Sequence, residues 1–431
     1  MFTTALIEKA LELQGIEKKL VPQIISDASI DSRKCGKNSL FFAFKGENVD
    51  GHDFIPELVE KGILCVGEKE ILKNPFYIKV PSVLDFLSLL AKERRKLFKG
   101  KVFAITGSSG KTSTRQFAAS LLLNLSKNVY ATSGNLNNHI GLPLVILNIP
   151  LNVDCLVLEM GMSHSKEIEH LTKIADPHFS AITNIGTAHI GNFDSQSDLA
   201  LAKLEIFEYS KGVAIADISN EYVKNWVEKN RGKREIVEFS IDEVKGMYQD
   251  FDELEKYMVE NLYLASLLVK ASEGVLPNLK KTVAKTTFPG MRGEVKEVGK
   301  RKFIVDCYNA NPDSMKKSIE NFYEKYSGQN NQKTYLILGS MFELGVFSKK
   351  MHEELVNYLK TLNLIDGLFL IGCEFEKIKT SSLNEKKVHF MGDIEEIIEY
   401  LPESGVFLLK GSRGNKMERI FDLLKNTGGN S

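Results

Sequence analysis

The length, composition and charge of the chain exclude several classes of protein. It has 431 residues, 43% of them apolar and 26% charged, which predicts a globular protein of two or three domains. The 56 basic and 56 acidic residues cancel, which disfavours nucleic acid or an anionic membrane as a partner. Five scattered cysteines predict a reducing compartment, and no apolar run is long enough to predict membrane insertion. We therefore expect a cytoplasmic protein.

Residues 1 to 80 predict a small α/β unit. Strands are expected at 39–44 and 62–66, with a helix at 54–61 between them. Three polar clusters surround these elements: Asp-Ser-Arg at 31–33, Lys-Gly at 45–46 and Asp-Gly-His at 50–52. Each cluster, taken alone, is more often a solvated turn than a binding site. An amphipathic helix predicted at 81–99 connects this unit to the rest of the chain.

The segment Gly-Ser-Ser-Gly-Lys-Thr at 107–112 follows an apolar strand and precedes a helix. Its glycines allow backbone N–H groups to approach phosphate oxygens, and the helix N-terminus favours negative charge. Lys111 adds a cation, and the hydroxyl of Thr112 suits Mg²⁺. Only two residues separate the glycines, where the common phosphate-loop pattern has four, so an incidental tight turn is the alternative. The flanking strand and helix favour nucleotide binding.

Strands and helices alternate from about residue 100 to 220, which predicts a doubly wound, mostly parallel sheet. Ligands of such sheets bind at the carboxyl ends of the strands. The predicted strands are 102–105, 129–132, 155–158, 180–184 and 212–216.

Three further side chains, two of them after strands and one on a helix, are candidates for a metal site. Glu159 can hold a hard cation beside the phosphates, although a water-facing glutamate at a strand end is the alternative. His189 is equally compatible with a metal ligand and with a loop histidine. Lys203 lies on the apolar face of a helix predicted at 195–209. A snorkelling lysine is the commoner explanation, and an amine near the metal site is the functional one.

A second alternation begins near residue 295 and predicts a Rossmann-like sheet. Its predicted strands are 303–307, 334–338, 367–371, 388–391 and 406–409. Helices are predicted at 314–326, 349–362, 394–401 and 416–424, after a separate helix at 254–272. Polar loops again follow the strands, most clearly at 308–313, 339–343 and 410–413.

The motifs of the three regions form one set. They are Asp-Ser-Arg at 31–33, Asp-Gly-His at 50–52, Thr-Gly-Ser-Ser-Gly-Lys-Thr at 106–112, Gly-Asn-Leu-Asn-Asn at 134–138, Glu-Met-Gly at 159–161, Asn-Ile-Gly-Thr-Ala-His at 184–189, Tyr-Asn-Ala-Asn-Pro-Asp-Ser-Met at 308–315 and Lys-Gly-Ser-Arg at 410–413. With this set the sequence resembles, over nearly its whole length, the Mur ligases of bacterial cell-wall synthesis. The short phosphate loop is the form that family uses. The last two motifs are most like those of members that add D-alanyl-D-alanine.

The resemblance implies a three-domain α/β protein: a small N-terminal domain at 1–80 for the UDP-sugar, a central P-loop ATPase-like parallel sheet at 81–294, and a C-terminal Rossmann-like domain at 295–431. The third domain would close on the active site and bind the incoming amine. The implied reaction is ATP- and Mg²⁺-dependent amide ligation of D-alanyl-D-alanine to UDP-N-acetylmuramoyl tripeptide through an acyl phosphate. A monomer is expected. The alternatives are a sibling ligase that adds another amino acid, or a nucleotide-dependent switch without ligation.

The resemblance also implies roles for particular residues. The UDP part of the substrate would contact Ser32, Arg33 and Lys45. ATP would contact Gly107, Ser108, Ser109, Gly110, Lys111, Thr112, Asn261, Arg292 and Asp306. The metal ligands would be Thr112, Glu159, His189 and Lys203, the last as a carbamate. Catalysis would involve Lys111, Asn138, His189 and Lys203, with the amine substrate near Asn309, Asn311, Lys410 and Arg413.

The chain departs from the family at two places. The family has a His-Asn pair shortly before the asparagine that Asn261 matches, and here Tyr257 and Met258 stand there. Ser340 stands where an acidic residue is common.

Overall fold

The protein consists of two compact units. The computed structural model describes residues 1–71, 73–288, 290–328, 332–378 and 388–428. The first unit contains residues 1–183, 201–246 and 260–286, and the second contains 184–200, 247–259 and 287–431. The predicted α/β class with parallel sheets is confirmed. The domain boundaries at 80/81 and 294/295 stay predictions.

The N-terminal part of the first unit contains a four-stranded parallel sheet in the order β3-β4-β5-β6, besides an antiparallel β1–β2 pair. Its strands are β1 (Phe2–Thr3), β2 (Ile24–Ile25), β3 (Asp27–Ser29), β4 (Ser39–Phe42), β5 (Leu64–Gly67) and β6 (Tyr77–Lys79). Its helices are α1 (Thr4–Leu13), α2 (Ile55–Glu60) and α3 (Val83–Leu97). The fully apolar or small residues of β4 and β5 are buried on both faces, as parallel strands require.

The central sheet of the first unit has six parallel strands in the order β12-β11-β10-β7-β9-β8. They are β7 (Lys101–Thr106), β8 (Val129–Ala131), β9 (Cys155–Glu159), β10 (Phe179–Ile182), β11 (Val213–Asp217) and β12 (Ile236–Phe239). The chain leaves β7 toward β8, returns to β9 beside it, and then continues on its other side with β10. The topological switch point therefore lies at the carboxyl end of β7, where ligands of such sheets bind.

Helices connect the strands of the central sheet and extend beyond it. They are α4 (Lys111–Asn124), α5 (Gly141–Leu147), α6 (Glu167–Ala175), α7 (Gln196–Tyr209), α8 (Glu221–Asn230), α9 (Lys256–Glu273) and α10 (Leu279–Lys285). The sequence predicted five of the six strands. It missed β12, whose residues are half-buried rather than uniformly apolar.

The second unit contains a six-stranded sheet in the order β13-β14-β18-β15-β16-β17. Its strands are β13 (Glu294–Val298), β14 (Lys300–Val305), β15 (Thr334–Gly339), β16 (Gly367–Ile371), β17 (Val388–Met391) and β18 (Ser404–Lys410). Its helices are α11 (Pro312–Tyr326), α12 (Ser348–Leu359), α13 (Cys373–Glu376) and α14 (Ile420–Gly428). β13 is an antiparallel edge strand, and the other pairs are parallel.

Two predictions for this sheet differ from the structure. Residues 394–399 form a 3₁₀ helix instead of the predicted α-helix. The edge strand β13 was not predicted, because it alternates charged and apolar residues, as exposed edge strands commonly do. Among the described residues, no helix is both long enough and apolar enough to cross a membrane.

Candidate functional site

The predicted phosphate loop connects β7 to the N-terminus of α4. Gly110 precedes the helix with a left-handed backbone, at φ 79°, where a side chain is strained. A Cβ at this position would also overlap the amide oxygen of Asn261. Lys111 Nζ donates to the carbonyl oxygen of Gly107 at 2.7 Å, and Thr183 Oγ1 donates to that of Ser109 at 2.5 Å. Glycine is therefore required at 110 by both conformation and space.

The carboxylate of Glu159 ends β9 and is 3% exposed. Thr112 Oγ1 donates to its Oε2 at 2.9 Å, and Asn137 Nδ2 donates to its Oε1 at 2.8 Å. Arg115 Nε lies 3.7 Å from Oε2. The backbone N–H of Glu159 donates to Thr132 Oγ1 at 3.0 Å. The structure thus brings together two predicted site residues, Thr112 and Glu159, around one buried carboxylate.

Asn261 lies on α9 and packs beneath the phosphate loop. Its side chain is 6% exposed, and its Oδ1 accepts a hydrogen bond from Thr114 Oγ1 at 3.2 Å. Together with its contact with Gly110, this places Asn261 against the first turn of α4. Asn261 therefore has a structural role in supporting the phosphate loop, separate from any contact with a nucleotide.

Lys203 is 1% exposed, so the predicted unusual lysine on an apolar helix face is a fully buried one. Burial holds the pKa of its amine well below the usual value, and the nearby Lys111 lowers that pKa further. A depressed amine pKa increases the neutral, nucleophilic fraction at neutral pH. Snorkelling to solvent, the commoner explanation, does not apply to this side chain.

The oxygen atoms of Thr112 and Glu159 fit Mg²⁺, which prefers oxygen ligands and is often held by one or two carboxylates together with substrate phosphates. Within the described ranges no group of three or more His, Cys, Asp or Glu side chains forms an all-protein metal cage. This combination suits an ion shared with a polyphosphate and does not suit a structural metal.

His189 belongs to the second unit, in the segment 184–200. Its backbone is left-handed at φ 65°, and its Nδ1 lies 2.8 Å from Glu343 Oε2. In the same segment, the N–H and Oγ1 of Thr187 donate to Asp313 Oδ2 at 2.6 and 2.7 Å. Gly191 N–H donates to the carbonyl oxygen of Glu343 at 3.2 Å. The first turn of α11 and the loop that follows β15 therefore hold the segment that carries His189.

Asp306 and Lys410 follow or end neighbouring strands of the second unit's sheet, and they form an ion pair. Lys410 Nζ lies 2.7 Å from Asp306 Oδ2, and the lysine side chain is 3% exposed. Ser318 Oγ on α11 donates to the same oxygen at 2.5 Å. The family resemblance implies contact with the ATP ribose for Asp306 and with the amine substrate for Lys410, and the structure places the two in direct contact.

The other predicted residues of this sheet make local contacts. Asn311 caps α11: its Oδ1 accepts from the N–H of Ser314 at 2.9 Å. Asn309 Oδ1 accepts from the N–H of the next residue at 2.9 Å. Arg413 Nη1 lies 3.0 Å from Glu418 Oε1. These side chains organise the carboxyl edge of the sheet itself.

Arg292 and Tyr257 lie near this edge. The guanidinium of Arg292 lies over the ring of Tyr308, 4.0 Å from its centroid. Burial raises the pKa of the Tyr257 hydroxyl, and the negative charges of Asp306 and Glu255 raise it further. The family's histidine position is thus occupied here by a tyrosine that lies close to Asp306.

In the N-terminal part, Arg33 pairs with Asp31 through two hydrogen bonds, from Nε at 2.8 Å and Nη2 at 3.0 Å. Its side chain is exposed, and Ser32 begins the same 3₁₀ turn. The backbone of Lys45 pairs with that of Asp50 in a single antiparallel β-bridge. These residues lie in surface turns, where a ligand can reach them.

The Asp-Gly-His motif has a structural role in this arrangement. His52 is 5% exposed; its Nδ1 lies 2.7 Å from Asp50 Oδ1, and its Nε2 accepts from the N–H of Glu68 at 3.0 Å. Donation by Lys69, and then by the backbone and ring of His52, holds the pKa of Asp50 well below its usual range. The motif ties the turn before α2 to the end of β5.

Asn138, predicted to be catalytic, accepts through Oδ1 from the N–H of Gly141 at 2.8 Å and is exposed. The neighbouring Asn137 is the residue that contacts Glu159. No functional role was predicted for Asn137, Arg115 or Asp313. Asn137 and Asp313 lie within the polar motifs at 134–138 and 308–315, and Arg115 lies four residues after Lys111 on one helix face, so each carried a signal that the sequence offered.

Comparisons with known proteins agree with this arrangement. Three family models match the chain: "Mur ligase family, catalytic domain" at 25–95, "Mur ligase middle domain" at 105–273, and "Mur ligase, glutamate ligase domain" at 291–413. The chain is 33% identical to the UDP-N-acetylmuramoyl-tripeptide–D-alanyl-D-alanine ligase of Bacillus subtilis, over 94% of each chain.

Solved structures are similar over the same extent. The MurF structure from Acinetobacter baumannii matches with a TM-score of 0.83 and 26% identity, covering 98% of this chain and 99% of that one. The MurF ligase of Thermotoga maritima in complex with ADP matches with a TM-score of 0.79 and 28% identity, covering 93% and 97%. The chain therefore belongs to the Mur ligase family.

Proposed function

We propose that the protein is an ATP-dependent amide ligase that joins D-alanyl-D-alanine to UDP-N-acetylmuramoyl tripeptide. The observation that carries this proposal is the similarity to the Bacillus subtilis ligase of that name, which extends over 94% of both chains. The ADP complex of the related Thermotoga maritima ligase supports the use of ATP. The phosphate loop and the buried carboxylate of Glu159 supply the matching chemistry.

The phosphate loop would bind the ATP phosphates. The N–H groups of residues 107–112 and the start of α4 favour negative charge, and Lys111 would stabilise the charge that develops on the transferring phosphoryl group. Thr112 and Glu159 would hold Mg²⁺, with His189 as a further ligand. A bound Mg²⁺ would neutralise charge on the phosphates and on the transferring group.

Lys203 would serve this site as a carbamate. Its neutral amine can attack CO₂, forming an N–C bond and releasing a proton, which converts a neutral buried amine into an oxygen-bearing anion. The depressed pKa of the amine supports this assignment, because only the neutral form is nucleophilic.

The reaction would proceed in two displacements. The carboxylate of the tripeptide attacks the γ-phosphorus of ATP, and ADP leaves, which gives an acyl phosphate. The amine of D-alanyl-D-alanine then attacks the acyl carbon, loses a proton, and expels inorganic phosphate. Lys111 would offset the repulsion between carboxylate and triphosphate in the first displacement.

The remaining predicted residues would bind the substrates. Ser32, Arg33 and Lys45 would contact the UDP group, which their surface position permits. Arg292 and Asp306 would contact the ATP ribose, and Asn261 would lie near the adenine. The amine and the reaction centre would be contacted by Asn138, Asn309, Asn311, Lys410 and Arg413. Closure of the third domain, a monomeric state and a cytoplasmic location complete the proposal.

Phosphate release tests this function directly. The protein is supplied with ATP and Mg²⁺, with UDP-N-acetylmuramoyl tripeptides ending in lysine or diaminopimelate, and with a panel of amines including D-alanyl-D-alanine. We expect phosphate release only when a tripeptide and D-alanyl-D-alanine are both present, and a product whose mass contains the dipeptide. Ligation of a different amine would identify a sibling ligase. Hydrolysis in the absence of both the tripeptide and the amine would identify a nucleotide-dependent switch.

A further inference from the structure

Glu159 is a buried acid whose orientation the fold must determine. A buried carboxylate is stabilised only when hydrogen-bond donors or a cation face its oxygens. Its two oxygens have different surroundings: Oε1 faces Asn137, and Oε2 faces Thr112 and Arg115. Within this set, the proposed function gives Mg²⁺ roles only to Glu159 and Thr112. The other two side chains have no assigned role.

Asn137 lies beside Oε1 of Glu159 and contacts Gly161. Its carbonyl oxygen accepts from the N–H of Gly161 at 2.8 Å, and its amide lies so close to Gly161 that a Cβ there would be 3.1 Å from it. Gly161 therefore hydrogen-bonds the backbone of Asn137, and its lack of a Cβ leaves room for the Asn137 side-chain amide. The donated hydrogen bond at 2.8 Å fixes Oε1 in turn.

Arg115 places a cation on the other side of the carboxylate. It lies on α4 one turn after Lys111, so both project from one face of the helix. Its side chain is 7% exposed, and its Nε lies 3.7 Å from Glu159 Oε2, which is an ion-pair distance. Thr112 donates its hydroxyl proton to the same oxygen, which leaves the lone pairs of the hydroxyl oxygen available.

We propose that Asn137 and Arg115 are positioning residues that fix the rotamer of Glu159, so that the Thr112–Glu159 pair is ready for a Mg²⁺–nucleotide complex. This inference rests on the proposed function and concerns how the chain prepares its metal site. Outer partners of metal-binding side chains commonly affect metal affinity or activity by roughly 10- to 100-fold.

Three variants separate the two contacts. Asn137→Leu keeps a similar volume and removes the donor to Oε1. Arg115→Met keeps the chain length and removes the cation, whereas Arg115→Lys keeps a cation near Oε2. Arg231→Met is the matched control, because Arg231 forms an exposed pair with Glu238 at 2.6 Å.

The experiment measures the ADP dissociation constant with and without Mg²⁺ by isothermal titration calorimetry, with thermal unfolding as a check on the fold. We expect Mg²⁺ to tighten ADP binding by the unaltered protein. In Asn137→Leu and Arg115→Met this gain should fall by roughly tenfold, while binding without Mg²⁺ is unchanged. Arg115→Lys should recover most of the gain, and Arg231→Met should behave as the unaltered protein.

Two results would overturn the inference alone: folded variants with an unaltered Mg²⁺-dependent gain, or an equal loss of ADP affinity with and without Mg²⁺, which would indicate general damage to the loop. If Arg115→Met does not fold, Asn137→Leu and Arg115→Lys decide the question. Failure of the unaltered protein to bind ADP would instead refute the proposed function. ADP binding without any Mg²⁺ gain would refute the assignment of Thr112 and Glu159 to the metal.

Discussion

The carboxyl edges of the central sheet and of the second unit's sheet are both lined by polar motifs, yet they use their side chains differently. At the central edge, a left-handed glycine precedes α4, two neutral donors and the Arg115 guanidinium face one buried acid, Glu159, and Lys111 donates to a backbone carbonyl. At the other edge, Asp306 neutralises Lys410 and Asn311 caps a helix. The second set of side chains therefore contributes to the fold as well as to any substrate site.

This difference separates two kinds of mutational effect. Some side chains of the central edge do not neutralise another buried charge. Replacing one of these should reduce turnover and leave the free energy of unfolding nearly unchanged. Replacing a paired or capping side chain of the second edge should also lower the free energy of unfolding, because a partner is left unsatisfied in a buried place.

The largest effect is expected from Lys111→Ala, on turnover. Loss of one preorganised charge contact to the transferring phosphoryl group costs about 2.7–4 kcal/mol in the barrier, or roughly 100- to 1,000-fold in rate. Phosphate release measured with all substrates should fall by that factor, while binding of the UDP substrate is retained. Lys61→Ala, which removes an exposed pair with Glu57, should change neither. Normal ATP turnover by Lys111→Ala would show that the loop is not a phosphate site.

Lys410→Met should lower stability by about 3 kcal/mol, because it leaves Asp306 without its cation in a largely buried position. Urea unfolding measures the change. The double variant Lys410→Met with Asp306→Asn should be more stable than Lys410→Met alone, since the unpaired charge is then removed. If the two substitutions were simply additive, the ion pair would not stabilise the second edge, and the contrast between the edges would weaken.

Gly110→Ala tests whether the central edge depends on its turn geometry. The left-handed backbone costs a non-glycine residue about 1–2 kcal/mol, and the overlap with Asn261 should add to this. Gly232→Ala is the matched control, with φ 80° and no atom within 4 Å of the added Cβ. We expect Gly110→Ala to be less stable than Gly232→Ala in urea unfolding and to bind ADP more weakly. Equal stability of the two variants would show that the contact between residue 110 and Asn261 does not constrain the loop.

Much of the fold could be predicted from the sequence, because apolar runs and turn residues are local signals. The strands β7 and β9, for example, are continuous buried runs that end in polar motifs. Strands β12 and β13 could not be predicted, because half-buried and edge strands mix polar and apolar residues.

The site was less predictable than the fold, since its contacts join residues far apart in the chain. The pairing of Asp306 with Lys410 spans 104 residues, and Asn137 reaches Glu159 across 22. Motif spacing identified each of these segments, but it did not show which side chain of a segment contacts the other residues of the site. Of the adjacent residues Asn137 and Asn138, only the first contacts the buried acid.

Asn311→Ala is expected to have the smallest effect on the free energy of unfolding. It tests whether a side chain of the second edge also acts on the substrate. Loss of its cap on α11 should cost about 1 kcal/mol. Asn278→Ala is the matched control, because Asn278 caps α10 by accepting from the N–H of Lys281 at 2.8 Å. Stability is measured in urea and turnover by phosphate release. If turnover falls only in Asn311→Ala at a similar stability loss, Asn311 acts on the substrate as well as on the helix. If turnover is unchanged in both variants, Asn311 is a helix cap alone, and the polar motif at 308–315 contributes to the second edge mainly through its fold.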